Sequence, residues 1–186
     1  MGGGRGGGAS GERDGERRLG NRRGSVGAEG AAEGLGRVRG AVAGKRNSRV
    51  YGEYRVADTS SVVILEAAVA LAGGTAACHV PHRLREGYGV RAEVIERAAA
   101  MGVKLIISVD TGIRASEVVK GAHELGIDVI VTDHHLPEAE LPPAHAVVNP
   151  NRPDCTYPEK NLCGAGGAFQ LVQAPRPTLG WPPAKH

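Results

Sequence analysis

The sequence is poor in aromatic residues and cysteine, and it contains no long apolar run. Phe, Trp and Tyr make up 3% of the 186 residues, so a core must be built from Val, Ile, Leu and Ala. The three cysteines form no C-x-x-C pair, which argues against a structural zinc site and a disulfide framework. Free thiols in a reducing cytoplasm fit this pattern better. No run approaches the roughly 18–20 apolar residues of a membrane span. We therefore expect a cytoplasmic protein with an aliphatic core and no membrane association.

Positive charge and glycine are concentrated at the N-terminus. Residues 1–50 carry 11 Lys and Arg against 5 Asp and Glu, and residues 1–45 hold 16 of the 29 glycines. Such a composition buries too little apolar surface to offset chain entropy. We therefore predict a disordered, basic Gly/Arg-rich tail over residues 1–46, then a folded domain at 47–175 and an irregular tail at 176–186. Arg/Gly-rich tails bind nucleic acid non-specifically, and a solvated tail without a selected role is the alternative.

From Arg49 onward, short strand patterns alternate with helix patterns of about 11–14 residues. Two of the predicted strands, 103–110 and 127–133, are continuous apolar runs. Such runs are typical of a parallel sheet that is covered on both faces, so we predict an α/β fold with five parallel strands and helices on both sides. The other predicted strands are 49–56, 75–81 and 145–150, and the predicted helices are 60–74, 91–102, 114–126 and 164–174.

Metal-binding side chains stand where the two clearest strands end. Asp110 closes the first strand, and Asp133, His134 and His135 follow the second. A right-handed crossover would make these strands neighbours, and ligands bind at the carboxyl ends of such strands. Carboxylate and imidazole groups can hold Mn²⁺ or Mg²⁺, which lowers the pKa of bound water and neutralises a phosphoryl oxygen. The alternatives are a turn in which Asp110 bonds the backbone of Gly112 and a solvated His-His turn.

Four segments together resemble a known group of enzymes. They are "HVPHRLREGYGV", "SVDTGI", "VTDHHLPEAELPPAHAVVNPN" and "YPEKNLCGAGGAFQL", and they resemble the DHH phosphoesterase superfamily, most closely the RecJ single-strand-DNA exonucleases. The resemblance covers roughly residues 49–175. It implies a DHH-type N-terminal domain with a two-metal site, usually holding Mn²⁺. It also implies 5′→3′ hydrolysis of single-stranded DNA in DNA repair and recombination, with single-strand-binding protein as a candidate partner.

The resemblance assigns roles to individual residues. It implies that Asp110 and His134 are metal ligands, with Glu53 as a further ligand. It also implies catalytic roles for His135, which would contact the scissile phosphate, and for Asp133, which would support the histidine pair. The nucleic-acid contacts that it implies are Arg83, Arg85 and Tyr88.

The first motif departs from the family pattern. The family reads Gly-Asp-Tyr-Asp-x-Asp-Gly where this chain reads "GEYRVAD". Glu53 replaces the first aspartate, Arg55 the second and Ala57 the third, while Asp58 is displaced by one residue. A guanidinium has no lone pair for a metal.

The family's next motif and second domain are also not found after the Gly-rich segment. We therefore expect an impaired fragment of a RecJ-like exonuclease. Two alternatives stay open. One is a DHH phosphoesterase acting on oligoribonucleotides or cyclic dinucleotides, and the other is a non-catalytic nucleic-acid-binding remnant.

Overall fold

A computed structural model describes residues 30–52, 56–71, 74–79 and 89–173. Strands and helices alternate along most of these residues, as the sequence predicts, and the last two strands follow each other without a helix between them. In chain order the elements are α1 (Ala31–Ala43), β1 (Ser48–Gly52), α2 (Val56–Leu71), β2 (Ala76–His79), α3 (Ala92–Ala100), β3 (Leu105–Val109), α4 (Ser116–Glu124), β4 (Asp128–Thr132), β5 (Ala146–Val148) and α5 (Gly164–Gln173).

The five strands form one sheet in the order β2-β1-β3-β4-β5, and every neighbouring pair is parallel. The predicted five-stranded parallel sheet is therefore confirmed. The chain passes from β1 outward to β2 and then returns to β3 on the other side of β1. In sheets of this kind, ligands bind at the carboxyl ends of the strands beside such a change of direction, which here falls between β1 and β3.

Two aliphatic cores lie on opposite faces of the sheet. Helices α3 and α4 pack over side chains such as Ile106 and Val131 on one face. Helices α1, α2 and α5 pack over Ile107 and Ile130 on the other face. Strand β3 is buried along its whole length. The continuous apolar runs in the sequence follow from this arrangement, because successive side chains of a strand point to opposite faces and both faces are covered.

Glycines end α3 and α4 as the sequence predicts. Gly102 and Gly126 both have a φ of +71°, the left-handed conformation that favours glycine. After each glycine the chain makes the hydrogen bond that closes a helix C-terminus, as in Val103, whose amide donates to the Ala98 carbonyl at 3.0 Å. Strands β3 and β4 begin two or three residues after these glycines.

Helix α2 begins earlier than predicted. The sequence predicts a start at Ser60 because serine is a preferred N-cap, but the helix begins at Val56 and Ser60 is an exposed residue inside it. The prediction of the start is therefore wrong. The helix is set by burial, since Val62, Leu65 and Val69 recur at helical spacing and are at most 4% exposed.

The predicted disordered tail is wrong for residues 31–43, which form α1. Ala31 and Ala41 are buried against the sheet. At Gly34 a β-carbon would stand 3.3–3.4 Å from side-chain atoms of the core, so the glycine lets the helix pack closely. Arg37 anchors the helix through an ion pair with Asp128. Small residues that look like low complexity in the sequence thus form a packing face, and the folded unit begins before residue 47.

Residues 1–29 and 174–186 lie outside the described residues, so the tails predicted there remain predictions. Within the described part of the chain, no helix has the length and apolar character needed to cross a membrane.

Candidate metal centre

Asp110 and Asp133 stand side by side at the carboxyl edge of the sheet. The parallel register pairs Val109 with Thr132, the last residues of β3 and β4. The next residues continue the ladder, because the Asp110 amide donates to the Thr132 carbonyl at 2.9 Å. The Thr132 hydroxyl ties the strands together by donating to the Ser108 carbonyl at 2.8 Å. The ends of β3 and β4 therefore lie side by side, as the sequence predicts.

Asp110 has a positive φ, which is uncommon among residues other than glycine. Its φ is +58°, a left-handed conformation that costs energy in most residues other than glycine, asparagine and aspartate. The turn that follows is closed by Ser108, whose hydroxyl donates to the Thr111 carbonyl at 2.9 Å. The side chain is only 9% exposed. This turn therefore holds the Asp110 carboxylate in a fixed place at the sheet edge.

The Asp110 carboxylate lies directly against His134. Its Oδ1 is 2.7 Å from Nε2 of the His134 ring. The short distance is not matched by hydrogen-bond geometry, so Oδ1 is a buried oxygen without a hydrogen bond among the described residues. The contact with His134 Nε2 is therefore not counted as a hydrogen bond, because a hydrogen bond weakens steeply when donor and acceptor are misaligned, even at a short distance. The proximity of Asp110 and His134 that the sequence predicts is confirmed.

Asp133 binds the backbone of both histidines and the ring of one of them. It is 2% exposed. Its Oδ1 accepts from the amides of His134 at 2.7 Å and His135 at 3.1 Å, and it lies 2.7 Å from Nδ1 of the His135 ring. Its Oδ2 accepts from the Ile113 amide at 3.1 Å. Charge-assisted bonds of this kind are strong. Asp133 therefore fixes the backbone and the ring that follow it and is not directed at a ligand.

Two asparagines that the sequence analysis did not single out complete the site. The side-chain amide of Asn149 donates to the His135 carbonyl at 2.9 Å, and that of Asn151 donates to the His134 carbonyl at 2.6 Å. The signal in the sequence is weak, since an Asn-Pro-Asn triplet after a strand is typical of an ordinary turn. They reach the histidine backbone only because β5 lies beside β4, which brings the loop after β5 next to the residues that follow β4.

Gly164, the first residue of α5, closes the site from the other side. A β-carbon on Gly164 would stand 2.7 Å from the Asp110 Cβ and 2.9 Å from its Oδ1. Only glycine allows the start of the helix to come this close to the carboxylate. The glycine-rich turn noted in the sequence thus has a direct steric reason.

Asp110, His134 and His135 can together hold a cation. One ligand atom from each lies within 4.8 Å of the others. A buried carboxylate oxygen without a hydrogen bond is costly, and a divalent cation would remove that cost. The oxygen and imidazole donors suit Mn²⁺ or Mg²⁺. The residues present therefore fit such an ion.

The remaining site residues predicted from the sequence lie outside the described residues. They are Glu53, Arg83, Arg85 and Tyr88. Their predicted roles as a metal ligand and as nucleic-acid contacts remain predictions.

The chain is similar to known proteins over this region. A model of the "DHH family, N-terminal domain" matches residues 50–184. A single-stranded-DNA-specific exonuclease RecJ of Dickeya dadantii is 42% identical over 148 residues, which cover 77% of this chain and 26% of that protein. The chain spans about a quarter or less of the length of the curated relatives it matches.

Solved structures agree with the sequence comparison. A structure of exonuclease RecJ bound to manganese superimposes with a TM-score of 0.76 at 34% identity and covers 84% of this chain and 40% of that one. A structure of RecJ from Thermus thermophilus in complex with Mn²⁺ gives a TM-score of 0.70 at 31% identity, covering 83% of this chain and 22% of that one.

Proposed function

The chain belongs to the DHH family, and from this premise we propose that it forms the metal-binding part of a RecJ-like nuclease that hydrolyses single-stranded DNA from the 5′ end. One observation carries the proposal, namely the buried Asp110 Oδ1 that lies 2.7 Å from His134 Nε2 and makes no hydrogen bond within the described part of the chain. The relatives support it, because they are described as single-stranded-DNA-specific exonucleases and two of their structures contain manganese.

Asp110 and His134 would hold the cation, Mn²⁺ or Mg²⁺, and Glu53 would contribute from the first motif. When bound there, such an ion would lower the pKa of a coordinated water and offset charge on a phosphoryl oxygen. The protein's part is to hold the Asp110 carboxylate in a fixed position. Its left-handed turn and the close start of α5 hold the carboxylate in place at the sheet edge.

Asp133 and His135 would act on the substrate side of the site. The buried Asp133 contacts Nδ1 of the His135 ring, which leaves Nε2 available to contact an oxygen of the scissile phosphate. The ring is about half exposed, as a group that meets substrate must be. Asp133 thus sets the orientation of His135, which is the usual function of a carboxylate behind a functional histidine.

The DNA path and the cellular setting extend the proposal. Arg83, Arg85 and Tyr88 would contact the strand, with arginine on phosphates and tyrosine on a base. The protein would act in the cytoplasm during DNA repair and recombination, and single-strand-binding protein would be its partner on DNA.

The test is release of mononucleotides from a 5′-labelled single strand in the presence of Mn²⁺. We expect slow release that is abolished by Asp110→Ala and unaffected by Glu117→Gln, a change to an exposed acid on α4. The rate should be low because Arg55 and Ala57 offer no ligand. Losing one ion's share of charge stabilisation costs several kcal/mol, which slows the reaction on the order of a thousandfold.

Other outcomes would favour the alternatives. Faster Mn²⁺-dependent cleavage of an oligoribonucleotide or a cyclic dinucleotide would indicate a small-substrate phosphoesterase. Strand binding without any Asp110-dependent cleavage would indicate a non-catalytic remnant. Cleavage that persists in Asp110→Ala would contradict the proposed site.

A further inference from the structure

Asn149 and Asn151 reach across from the end of β5 to the backbone of the histidine pair. Asn149 is 1% exposed, and its side-chain amide donates to the His135 carbonyl at 2.9 Å. The side-chain amide of Asn151 donates to the His134 carbonyl at 2.6 Å. The two asparagines are also joined, because the backbone amide of Asn151 donates to Asn149 Oδ1 at 2.7 Å. The two linked asparagines thus hold the backbone carbonyls of both histidines.

This unit completes the hydrogen bonding of the His134–His135 backbone. The two backbone N–H groups donate to Asp133 Oδ1, and the two carbonyls accept from the asparagines. A segment just past a strand would otherwise be free to rotate its peptide groups, as exposed loops are. With every polar backbone group held, the direction of each Cα–Cβ bond is fixed. This direction limits where each imidazole ring can lie, since only the side-chain torsions χ1 and χ2 remain free.

The asparagines are themselves anchored. The Lys160 ammonium donates to the carbonyls of Pro150 and Cys155, both at 2.7 Å. The Arg152 guanidinium donates to the Val147 carbonyl at 2.6 Å. The loop after β5 is therefore tied to the sheet and to itself. An anchored amide can transmit a fixed position to its partner, whereas a mobile one could not.

We propose that Asn149 and Asn151 are positioning residues that set the cation affinity of the site through the histidine backbone. The inference rests on the proposed metal site. Removing the Asn151 side chain leaves the His134 carbonyl without a donor and lets its peptide group rotate, so the His134 ring moves away from the ion. Removing the Asn149 side chain has the same effect indirectly, because Asn151 loses the Oδ1 that holds its backbone amide. Outer partners of metal ligands typically control affinity by about 10–100-fold, and we expect a weakening of that size for each asparagine.

The experiment measures Mn²⁺ affinity directly, by the electron paramagnetic resonance signal of free Mn²⁺ during titration. Four variants are compared with the unchanged chain: Asn149→Ala, Asn151→Ala, Asn151→Leu and Asn161→Ala. Leucine keeps the approximate size of asparagine without a donor. Asn161 is an exposed asparagine of the same loop, and its backbone amide donates to the Glu159 carboxylate, so it is the matched control.

A structural role and a positioning role give different results. All titrations are run at a temperature where thermal unfolding in EDTA shows each variant to be folded. A purely structural role would lower the melting temperature and leave the Mn²⁺ affinity of the folded chain unchanged. The proposal predicts weaker affinity in Asn149→Ala, Asn151→Ala and Asn151→Leu, with Asn161→Ala unchanged. If alanine at position 151 prevents folding, the leucine variant carries the test.

Failure of this inference and failure of the proposed function are separate outcomes. If the unchanged chain binds no Mn²⁺, or binds it equally well as Asp110→Ala, the metal site itself is wrong and the inference falls with it. If the unchanged chain binds Mn²⁺ through Asp110 but the asparagine variants bind within about twofold of it, a change well below the usual effect of an outer partner, only the positioning role is overturned.

Discussion

Replacing Gly164 with alanine should weaken cation binding more than it changes the stability of the fold. The added β-carbon would stand 2.7 Å from the Asp110 Cβ, 2.8 Å from its Cγ and 2.9 Å from Oδ1. Carbon atoms pack at about 3.5–4.0 Å, so the start of α5 and the carboxylate must separate by roughly 1 Å. Overpacking of this kind costs about 1–3 kcal/mol. The better helix propensity of alanine offsets up to about 1 kcal/mol of it.

The same displacement acts directly on the proposed ligand. A metal site tolerates an error of about 0.5 Å in the position of its ligands, so a shift of roughly 1 Å exceeds that tolerance. We expect the dissociation constant for Mn²⁺ to rise by one to two orders of magnitude, comparable with the loss of a supporting partner. The assay combines an Mn²⁺ titration with thermal unfolding in EDTA.

Gly167 provides a matched control in the same helix. A β-carbon on Gly167 meets nothing within 4 Å, so Gly167→Ala should leave Mn²⁺ affinity unchanged and stabilise the fold by up to about 1 kcal/mol. If Gly164→Ala binds Mn²⁺ as tightly as the unchanged chain, or if it is stabilised as Gly167→Ala is, then α5 does not fix the position of Asp110.

Three further predictions test other parts of the structure. Partial burial and a hydrogen bond to Glu66 raise the pKa of the Cys78 thiol to about 12. The thiol should therefore react slowly with a disulfide reagent at about pH 8, near the ordinary thiol pKa. Glu66→Gln should speed the reaction. Arg37→Ala should lower the free energy of unfolding by about 1–2 kcal/mol, because it leaves Asp128 without its ion pair and α1 without its anchor; an unchanged urea midpoint would contradict this. Ile107→Ala should cost about 2–5 kcal/mol by denaturant unfolding, because the side chain is fully buried in β3, and a loss below about 1 kcal/mol would show that the strand is not central to the core.

The sheet and the position of the site could be predicted because each rests on a pattern that is local in the sequence. The apolar runs before Asp110 and Asp133 mark two buried parallel strands, and parallel neighbours bring their carboxyl ends together. The closeness of Asp110 and His134 along the sheet edge follows from that rule. The ends of α3 and α4 could be predicted in the same way, since a helix often ends at a left-handed residue and glycine adopts that conformation most easily.

The parts that were missed depend on tertiary contacts. The composition of helix α1 predicts disorder because alanine and glycine give little apolar surface, yet small residues such as Gly34 allow the close packing that stabilises the helix. Asn149 and Asn151 could not be assigned from the sequence, because their partners are backbone carbonyls that the loop reaches only after β5 returns beside β4. The left-handed φ of Asp110 likewise depends on the turn that Ser108 closes.

The proposed function requires Asp110 and His134 to bind one divalent cation at the edge of the sheet. Anomalous diffraction from crystals of the chain soaked in Mn²⁺, recorded at the manganese edge, tests it most directly. The structure predicts a peak bonded to the Asp110 carboxylate and the His134 ring, and its absence from crystals of Asp110→Ala. Ordered density for both side chains with no manganese between them, or manganese bound only elsewhere, would contradict the proposed metal site.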